Sequence, residues 1–553
     1  MRTVSCPTSS HALLSVLVAN GIDRVFLVPG ESYLGILDAL HDFPQIDVVT
    51  CRHEAGAGFM ACADGRITGR PGVLLVSRGP GASNAAIAVH TAQQDAIPLI
   101  LLVGQVPKAD LRREAFQEID YGRMYGGIAK WVAEANDPAQ LPELAFKAMR
   151  VATSGTPGPV VIAIPEDVQQ QGLPFDPAGW VADEAPAALP ESATLDRLRA
   201  MLEAARRPLL IAGGSFDRPG GREALRAFAH AWHLPVALSF RRQDLFSARD
   251  ALYVGDLGLA NPAHQIDAFR DSDLIVALGT RMGDIATQGY TFPDLPRPRQ
   301  RFVHCHPDPH FVGQHFVPDL PLVCDPVALV RACMPDSGWR NAARAAWVDA
   351  LRAIYEAWAA WPEATEGATV EFTEVVRALH ERAAPDAIVC LDAGTFAAPV
   401  YRHFPFAFPQ RLMAPLSGAM GYGAPAAIAA QLRLPQAPVV CLVGDGGVLM
   451  TGNELILAVE RRLPIVFVIS NNDCYGSIRL HQQRHYPGRT VGTSLTNPDF
   501  VAWARAFGMQ SERIERRDQI HAVLARAFAA QGPYVVEVQS RLSGAPPRGE
   551  RRE

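Results

Sequence analysis

Residues Val439 to Asn472 read VVCLVGDGGVLMTGNELILAVERRLPIVFVISNN and carry the pattern that indicates the fold class. Two short segments rich in β-branched residues, 439–443 and 465–469, flank a helix-like segment from about Asn453 to Arg462. Apolar strands that alternate with helices are typical of a parallel sheet covered on both faces. The stretch therefore predicts one strand–helix–strand unit.

Each predicted strand ends in polar residues, Asp445 after the first and Asn472 after the second. The carboxyl ends of parallel strands meet at one sheet edge, so these two side chains can share an ion. One carboxylate, one amide and a nearby carbonyl suit Mg²⁺ completed by water and phosphate oxygens. The Gly-Asp-Gly-Gly segment alone, or the Asn-Asn segment alone, also fits an ordinary tight turn. Together, at this spacing, they favour an ion site and a phosphorylated cofactor.

The same alternation recurs along the chain and predicts an α/β protein with three doubly wound parallel-sheet domains. Two stretches without strand signals, 169–191 and 334–369, interrupt it and are interpreted as connectors. The predicted domains are therefore residues 1–175, 190–335 and 365–540.

Composition limits the classes of partner. The 553 residues are 48% hydrophobic and 20% charged, which excludes a mainly disordered chain. A formal charge of −6 supplies no global positive field for nucleic acid. The nine cysteines form no CxxC pair, and the apolar runs are far below the roughly 20 residues of a membrane span. We expect a cytoplasmic protein with a small-molecule partner.

Gly444-Asp445-Gly446, followed after 25 residues by Asn472, resembles the signature of thiamine diphosphate enzymes. Further segments that carry the resemblance are Val28–Gly30, Arg52–Glu54, Ser77–Asn84, Ala115–Glu118, Gly155–Val168, Gly279–Arg281 and Ser417–Pro425. Together they resemble the acetolactate synthase-like branch, of the large catalytic subunit type. The resemblance implies a pyrimidine-binding domain, a middle domain and a diphosphate- and Mg²⁺-binding domain. It also implies a homodimer or homotetramer with active sites across subunits.

The resemblance assigns the catalytic residues. It places Glu54 against N1′ of the cofactor's aminopyrimidine ring, where a shared proton makes the 4′-nitrogen basic. Phe116 and Gln117 are implied to approach the reacting carbon. Met420 is implied to sit between the two cofactor rings and to bend them, which is a proximity effect. The backbone of Gly418 is implied to bind the 4′-amino group.

The resemblance also assigns the residues around the diphosphate and the metal. The implied Mg²⁺ ligands are Asp445, Asn472 and the main-chain carbonyl of Cys474. The other implied cofactor contacts are Gly394, Thr395, Phe396, Gly444, Gly446, Gly447, Tyr475 and Gly476.

The chain departs from acetolactate synthase at several positions. GTRMGD lacks the second arginine of the middle domain, an expected acidic residue is His306, and a substrate-selecting tryptophan is His481. These changes put FAD and branched-chain biosynthesis in doubt. Arg78 replaces a small residue, and the added cation would favour an anionic or larger substrate.

The favoured function is decarboxylation of a 2-oxo acid with acyl transfer. Within the same chemistry, a benzaldehyde lyase-like or 2-hydroxyacyl-CoA lyase-like enzyme that acts on a 2-hydroxy ketone is the alternative. A catalytically inactive cofactor-binding module is a third class. Two further patterns are weaker: HCHPDPH at 304–310 invites a metal site, and GESYL at 30–34 narrowly misses the serine-hydrolase motif.

Overall fold

The computed structural model describes residues 8–181, 187–259, 261–336, 339, 341–363 and 370–542. Within these residues the chain forms three six-stranded sheets, and neighbouring strands in each sheet are parallel. Helices lie between most pairs of successive strands. The predicted α/β class with three parallel-sheet domains is confirmed.

The first sheet has the strand order β2-β1-β3-β4-β6-β5. Its strands are β1 (Arg24–Leu27), β2 (Asp47–Thr50), β3 (Gly72–Val76), β4 (Leu99–Gln105), β5 (Trp131–Glu134) and β6 (Pro159–Pro165). Its helices are α1 (Ser9–Ala19), α2 (Leu34–Leu40), α3 (Glu54–Thr68), α4 (Pro80–Asp95), α5 (Tyr121–Tyr125), α6 (Leu141–Thr153) and α7 (Glu166–Gln169).

The middle sheet has the order β12-β11-β10-β7-β8-β9, a doubly wound arrangement in which β7 and β10 meet at the switch point. Its strands are β7 (Pro208–Ala212), β8 (Val236–Ser239), β9 (Tyr253–Leu257), β10 (Leu274–Leu278), β11 (Arg301–His306) and β12 (Leu320–Val323). The helices are α8 (Ser192–Ala204), α9 (Gly221–Trp232), α10 (Ala263–Arg270) and α11 (Pro326–Ala332), and α12 (Ala343–Ala359) follows them.

The third sheet has the order β14-β13-β15-β16-β18-β17, which repeats the topology of the first. Its strands are β13 (Ile388–Leu391), β14 (Arg411–Met413), β15 (Val439–Gly444), β16 (Ile465–Asn471), β17 (Gln510–Ile514) and β18 (Tyr534–Gln539). Its helices are α13 (Phe372–Arg382), α14 (Ala398–His403), α15 (Gly423–Arg433), α16 (Asp445–Thr451), α17 (Leu455–Glu460), α18 (Gly476–His485), α19 (Phe500–Ala506) and α20 (Ile520–Ala529).

The strand–helix–strand prediction for 439–472 is confirmed in outline, but the helix begins earlier than expected. It starts at Asp445, directly after β15, and a short 3₁₀ turn at Gly452–Glu454 separates α16 from α17. The glycines at 446 and 447 are therefore helical, although glycine is a poor helix former. Asp445 consequently occupies the first position of a helix instead of a loop.

The first and third domains pack through α3 and α15, which are both rich in small residues. A side chain at Gly58 would place its Cβ 2.3 Å from the Cβ of Ala88 in α4, so the close approach of α3 and α4 requires glycine. The packing of α3 against α15 brings the amino terminus of α3, where Glu54 lies, close to the third domain.

Buried ion pairs hold the middle domain against the other two. Asp217 pairs with Arg66 of α3 at 3.1 Å and with Arg222 at 2.9 Å. Asp244 pairs with Arg222 at 2.7 Å and accepts a hydrogen bond from the Leu412 main-chain N–H. Because paired buried charges are costly to separate, this junction fixes the relative placement of the three domains.

Across the described ranges, no helix combines the length and the apolar character that crossing a bilayer demands.

Candidate active site

The carboxyl ends of β15 and β16 bring the two predicted side-chain metal ligands together. Gly444 is paired with Ser470 in the parallel register, so Asp445 and Asn472 follow the strands at one edge. The main-chain N–H of Asn472 donates to Oδ2 of Asp445 at 3.2 Å. The two residues are therefore in direct contact.

Asp445 is a buried carboxylate with few compensating groups. It is 3% exposed, and burial raises its pKa. Oδ1 accepts a hydrogen bond from the Gly446 N–H at 2.9 Å, and Oδ2 accepts one from Nδ2 of Asn497 at 2.9 Å. Because these partners are neutral, a cation beside Asp445 would offset the cost of burying its charge.

The chain turns sharply after Asn472, so that its side chain and the next residues share the site. Asp473 adopts a left-handed conformation with φ of 55°, and Oδ1 of Asn472 accepts a hydrogen bond from the Cys474 N–H at 3.2 Å. Cys474 is buried, which raises the pKa of its thiol and keeps it neutral. A neutral thiol fits a main-chain role for Cys474 better than a nucleophilic one.

The donor set at this edge suits a hard cation. It offers one carboxylate, one amide oxygen and main-chain carbonyls, which are Mg²⁺-type ligands.

In the part of the chain that the structure describes, no group of three or more His, Cys, Asp or Glu residues could hold a metal. The metal reading of 304–310 is therefore wrong: Nε2 of His304 hydrogen-bonds the Thr280 carbonyl, and Nδ1 of His306 accepts from the Asp308 N–H.

The predicted diphosphate loop lies against the same edge. A Cβ added to Gly444 would lie 3.1 Å from the ring of Phe396, and one added to Gly476 would lie 3.3 Å from Oγ1 of Thr395. Tyr475 closes over Gly446, where a Cβ would lie 2.5 Å from its ring. The amino terminus of α18 also begins here, and its free N–H groups favour an anion such as phosphate.

The segment that carries Gly418 and Met420 is anchored by carboxylates from two domains. Both oxygens of the fully buried Asp392 accept from the Gly421 N–H at 2.9 Å. Asp95 of α4 accepts from the main-chain N–H groups of Leu416 and Ser417, each at 2.8 Å. Met420 is half-buried, and Gly418 is exposed with φ of 72°.

Glu54 is the first residue of α3, and the side chain of the preceding His53 caps this helix. Oε2 of Glu54 accepts a hydrogen bond from Nδ2 of Asn84 at 2.9 Å. Both residues belong to the first domain, whereas Asp445 and Met420 belong to the third. The predicted site residues are therefore divided between the first and the third domain.

Phe116 and Gln117 lie in a surface loop of the first domain. Phe116 is 77% exposed, which is unusual for a large aromatic side chain. Gln117 has φ of 63°, and its carbonyl packs against Gly79, where a Cβ would lie 2.6 Å from it. This contact fixes the loop beside the Ser77–Asn84 segment.

Two arginines of the predicted motifs, Arg78 and Arg281, already have partners within the protein. The guanidinium of Arg78 forms an ion pair with Glu166, so its charge is neutralised within the first domain. Arg281 donates to the carbonyls of Gln93 and Gln94, at 3.1 and 3.0 Å. Neither cation is left without a partner.

His306, which stands where the resemblance implies an acidic residue near a flavin, is 3% exposed. Burial lowers its pKa to about 4, so the imidazole is neutral at physiological pH. A neutral, buried imidazole does not replace a carboxylate that would accept hydrogen bonds from a cofactor.

Sequence reasoning missed four polar residues that support the site. Asp95, Asp392, Glu454 and Asn497 each hydrogen-bond a residue in or next to a predicted motif. Only Asp392 had a usable signal, because it directly follows β13 at the ligand-binding edge of the sheet. The other three contact their targets from distant parts of the chain.

Family models cover all three domains. The description "Thiamine pyrophosphate enzyme, N-terminal TPP binding domain" matches residues 7–124, the central domain of the same family matches 195–333, and its C-terminal TPP binding domain matches 392–538. Thiamine pyrophosphate is a synonym of thiamine diphosphate.

Relatives that align over almost the whole chain agree with these family-model matches. The acetolactate synthase large subunit of Parasynechococcus marenigrum is 34% identical over 550 residues, which cover 97% of this chain and 88% of that protein. The large subunit of acetolactate synthase isozyme 2 of Escherichia coli is 30% identical over 529 residues, covering 95% of this chain and 94% of the relative. The isozyme 3 large subunit of the same organism is 30% identical over 535 residues, covering 94% and 92%.

Proposed function

Since the chain belongs to the thiamine pyrophosphate enzyme family, we propose that it decarboxylates a 2-oxo acid and transfers the acyl group to an acceptor, using thiamine diphosphate and Mg²⁺. The observation that carries the proposal is the contact between Asp445 and Asn472 at one sheet edge. Similarity to acetolactate synthase large subunits over almost the whole chain supports the same chemistry.

We assign the metal to Asp445, Asn472 and the carbonyl of Cys474. These groups would hold Mg²⁺ and, through it, the diphosphate. The glycines at 394, 444, 446 and 447 would let the main chain approach the phosphates closely. Tyr475 and Gly476 would complete the site at the amino terminus of α18.

When bound, thiamine diphosphate supplies an acidic C–H beside a thiazolium nitrogen and an electron sink for the acyl unit. Glu54 would hold a proton at N1′ of the pyrimidine ring and thereby make the 4′-amino group basic. Met420, on the segment anchored by Asp392, would keep the two cofactor rings close together. The main chain of Gly418 would bind the 4′-amino group, and Phe116 and Gln117 would shape the substrate space.

We propose that the working unit is a homodimer or a homotetramer. Glu54 and Phe116 of one subunit would then face Asp445 and Met420 of another, which joins the two groups of site residues. Apolar side chains left exposed near the site support this arrangement: Ile87, Phe116, Leu449 and Met450 are 39%, 77%, 45% and 47% exposed. The eight described cysteines are free and buried, which supports a reducing, cytoplasmic location.

The test is to incubate the purified protein with thiamine diphosphate, Mg²⁺ and a panel of 2-oxo acids and 2-hydroxy ketones. We expect CO₂ release together with a ligated product, and loss of both in an Asp445→Asn variant. Cleavage of a 2-hydroxy ketone to an aldehyde without CO₂ would favour the lyase alternative. Absence of cofactor binding by calorimetry would refute the proposal, and the visible spectrum of the same sample decides whether FAD is bound.

A further inference from the structure

Glu454 links the third domain to the segment that precedes Glu54. It ends the short turn between α16 and α17, and it is fully buried. Oε1 accepts hydrogen bonds from the main-chain N–H groups of His53 at 2.8 Å and of Arg52 at 3.0 Å, and Oε2 accepts from Arg52 at 3.1 Å. One carboxylate therefore binds the two residues immediately before Glu54.

The contact is tight along the whole side chain. A Cβ added to Gly56, in the first turn of α3, would lie 2.6 Å from Cγ of Glu454. The glycine therefore leaves room for the glutamate stem, and the start of the helix rests directly on it. Movement of Glu454 would shift the main chain that sets the direction of the Glu54 side chain.

Among the described residues no cation forms an ion pair with the Glu454 carboxylate, so it depends on these main-chain donors and on a longer hydrogen bond of 3.4 Å from Nδ2 of Asn453. The side chain of Arg52 turns away, donating to the Thr50 carbonyl at 2.7 Å and pairing with Glu460 at 3.3 Å on the surface. Burial, opposed by the two N–H groups and by Arg52 and reinforced by the charge of Glu54, raises the pKa of Glu454 to about 7. Among the described residues, the buried thiol of Cys51 is a further ionisable neighbour of Glu454.

We propose that Glu454 is a positioning residue for Glu54 in thiamine activation. This inference rests on the proposed function, in which Glu54 shares a proton with the bound cofactor. Glu454 follows α16, whose first residue is the metal ligand Asp445. In an assembly with active sites across subunits, it would connect the metal-binding helix of one site with the glutamate of the next.

The test compares Glu454→Gln with Glu460→Gln. The first is nearly isosteric but exchanges one acceptor oxygen for a donor that faces a main-chain N–H. The second removes only the exposed charge that pairs with Arg52, and serves as the matched control. Three measurements are made on the full-length chain: amide hydrogen exchange of residues 50–55 without cofactor, calorimetric affinity for thiamine diphosphate with Mg²⁺, and deuterium exchange at C2 of the bound cofactor.

For Glu454→Gln we expect amide exchange at Arg52 and His53 to rise at least tenfold and C2 exchange to fall at least tenfold, while cofactor affinity stays within about threefold of wild type. Glu460→Gln should match wild type in all three. Because Glu454 acts through Glu54, adding Glu454→Gln to a Glu54→Gln chain should reduce C2 exchange no further. If Glu454→Gln does not fold, Glu454→Asp, which withdraws the same carboxylate by one methylene, should show the same pattern.

Wild-type C2 exchange in either Glu454 variant, or losses that multiply in the double variant, would overturn the positioning role alone. A wild-type chain that does not bind thiamine diphosphate would instead overturn the proposed function, and the positioning role with it.

Discussion

Asp392→Asn tests whether a buried carboxylate holds the segment that carries Met420. Both oxygens of Asp392 accept from the Gly421 N–H, and Oδ1 also accepts from the Ala393 N–H at 2.6 Å. Asparagine keeps the shape but replaces one oxygen with a donor. A buried polar group left unsatisfied costs about 1–3 kcal/mol, so we expect the affinity for thiamine diphosphate to fall about 5- to 150-fold.

The same substitution should also change the free energy of unfolding, and the size of that change should depend on pH. Burial raises the pKa of Asp392 to about 6 from its ordinary value of 3.8. The folded chain therefore holds this proton more tightly than the unfolded chain, by up to about 3 kcal/mol at about 1.4 kcal/mol per pKa unit. This contribution to the free energy of unfolding is fully present below pH 3.8 and is lost as the pH rises through 6.

Asparagine lacks this titration. The difference in melting temperature between wild type and Asp392→Asn should therefore be larger at pH 5 than at pH 8. At pH 8 the wild-type chain must bury the charged Asp392 carboxylate, whereas the asparagine variant buries no charge. This difference partly offsets the free-energy cost of the unsatisfied asparagine N–H donor.

The assays are calorimetric titration with thiamine diphosphate at saturating Mg²⁺, and thermal unfolding at both pH values. The control is Asp386→Asn, a change of an exposed aspartate just before β13. Affinity within twofold of wild type for Asp392→Asn would refute the anchoring role. A melting difference independent of pH would refute the assigned protonation.

Three further changes test the site. Glu54→Gln should bind thiamine diphosphate within about threefold of wild type but lower kcat at least about 100-fold, and near-normal turnover would contradict its role. Asn497→Ala, which removes a donor to Asp445, should raise the Mg²⁺ concentration for half-maximal activity about tenfold; an unchanged midpoint would argue against it. Arg78→Ala should leave KM for a 2-oxo acid within about threefold, because Glu166 neutralises Arg78; a tenfold rise would show contact with substrate.

Much of the sheet edge at Asp445 and Asn472 was predictable because it depends on local rules. The apolar runs before Asp445 and Asn472 identify two strands, and parallel strands place their carboxyl ends at one edge. The start of α16 was not predictable by the same reasoning, because Gly446 and Gly447 disfavour a helix and only their packing against Tyr475 and Asp392 supports one.

The sequence could not identify the carboxylates that hydrogen-bond main-chain groups of another domain. Glu454 binds the main chain of Arg52 and His53, and Asp95 binds that of Leu416 and Ser417. Each pair is separated by more than 300 positions in the sequence. Nothing in the local pattern around Glu454 distinguishes it from an exposed helix residue such as Glu460.

The α/β class, the three parallel sheets and the sheet edge at which Asp445 and Asn472 meet follow from the sequence alone, because strand periodicity and the direction of parallel strands are short-range properties. Which charges are buried, and which groups those charges contact, depends instead on tertiary packing. Whether Asp392, Glu454 or Arg78 meets water, a main-chain N–H or an opposite charge depends on how elements distant in the chain pack together, and that packing sets both the cost of each charge and its function.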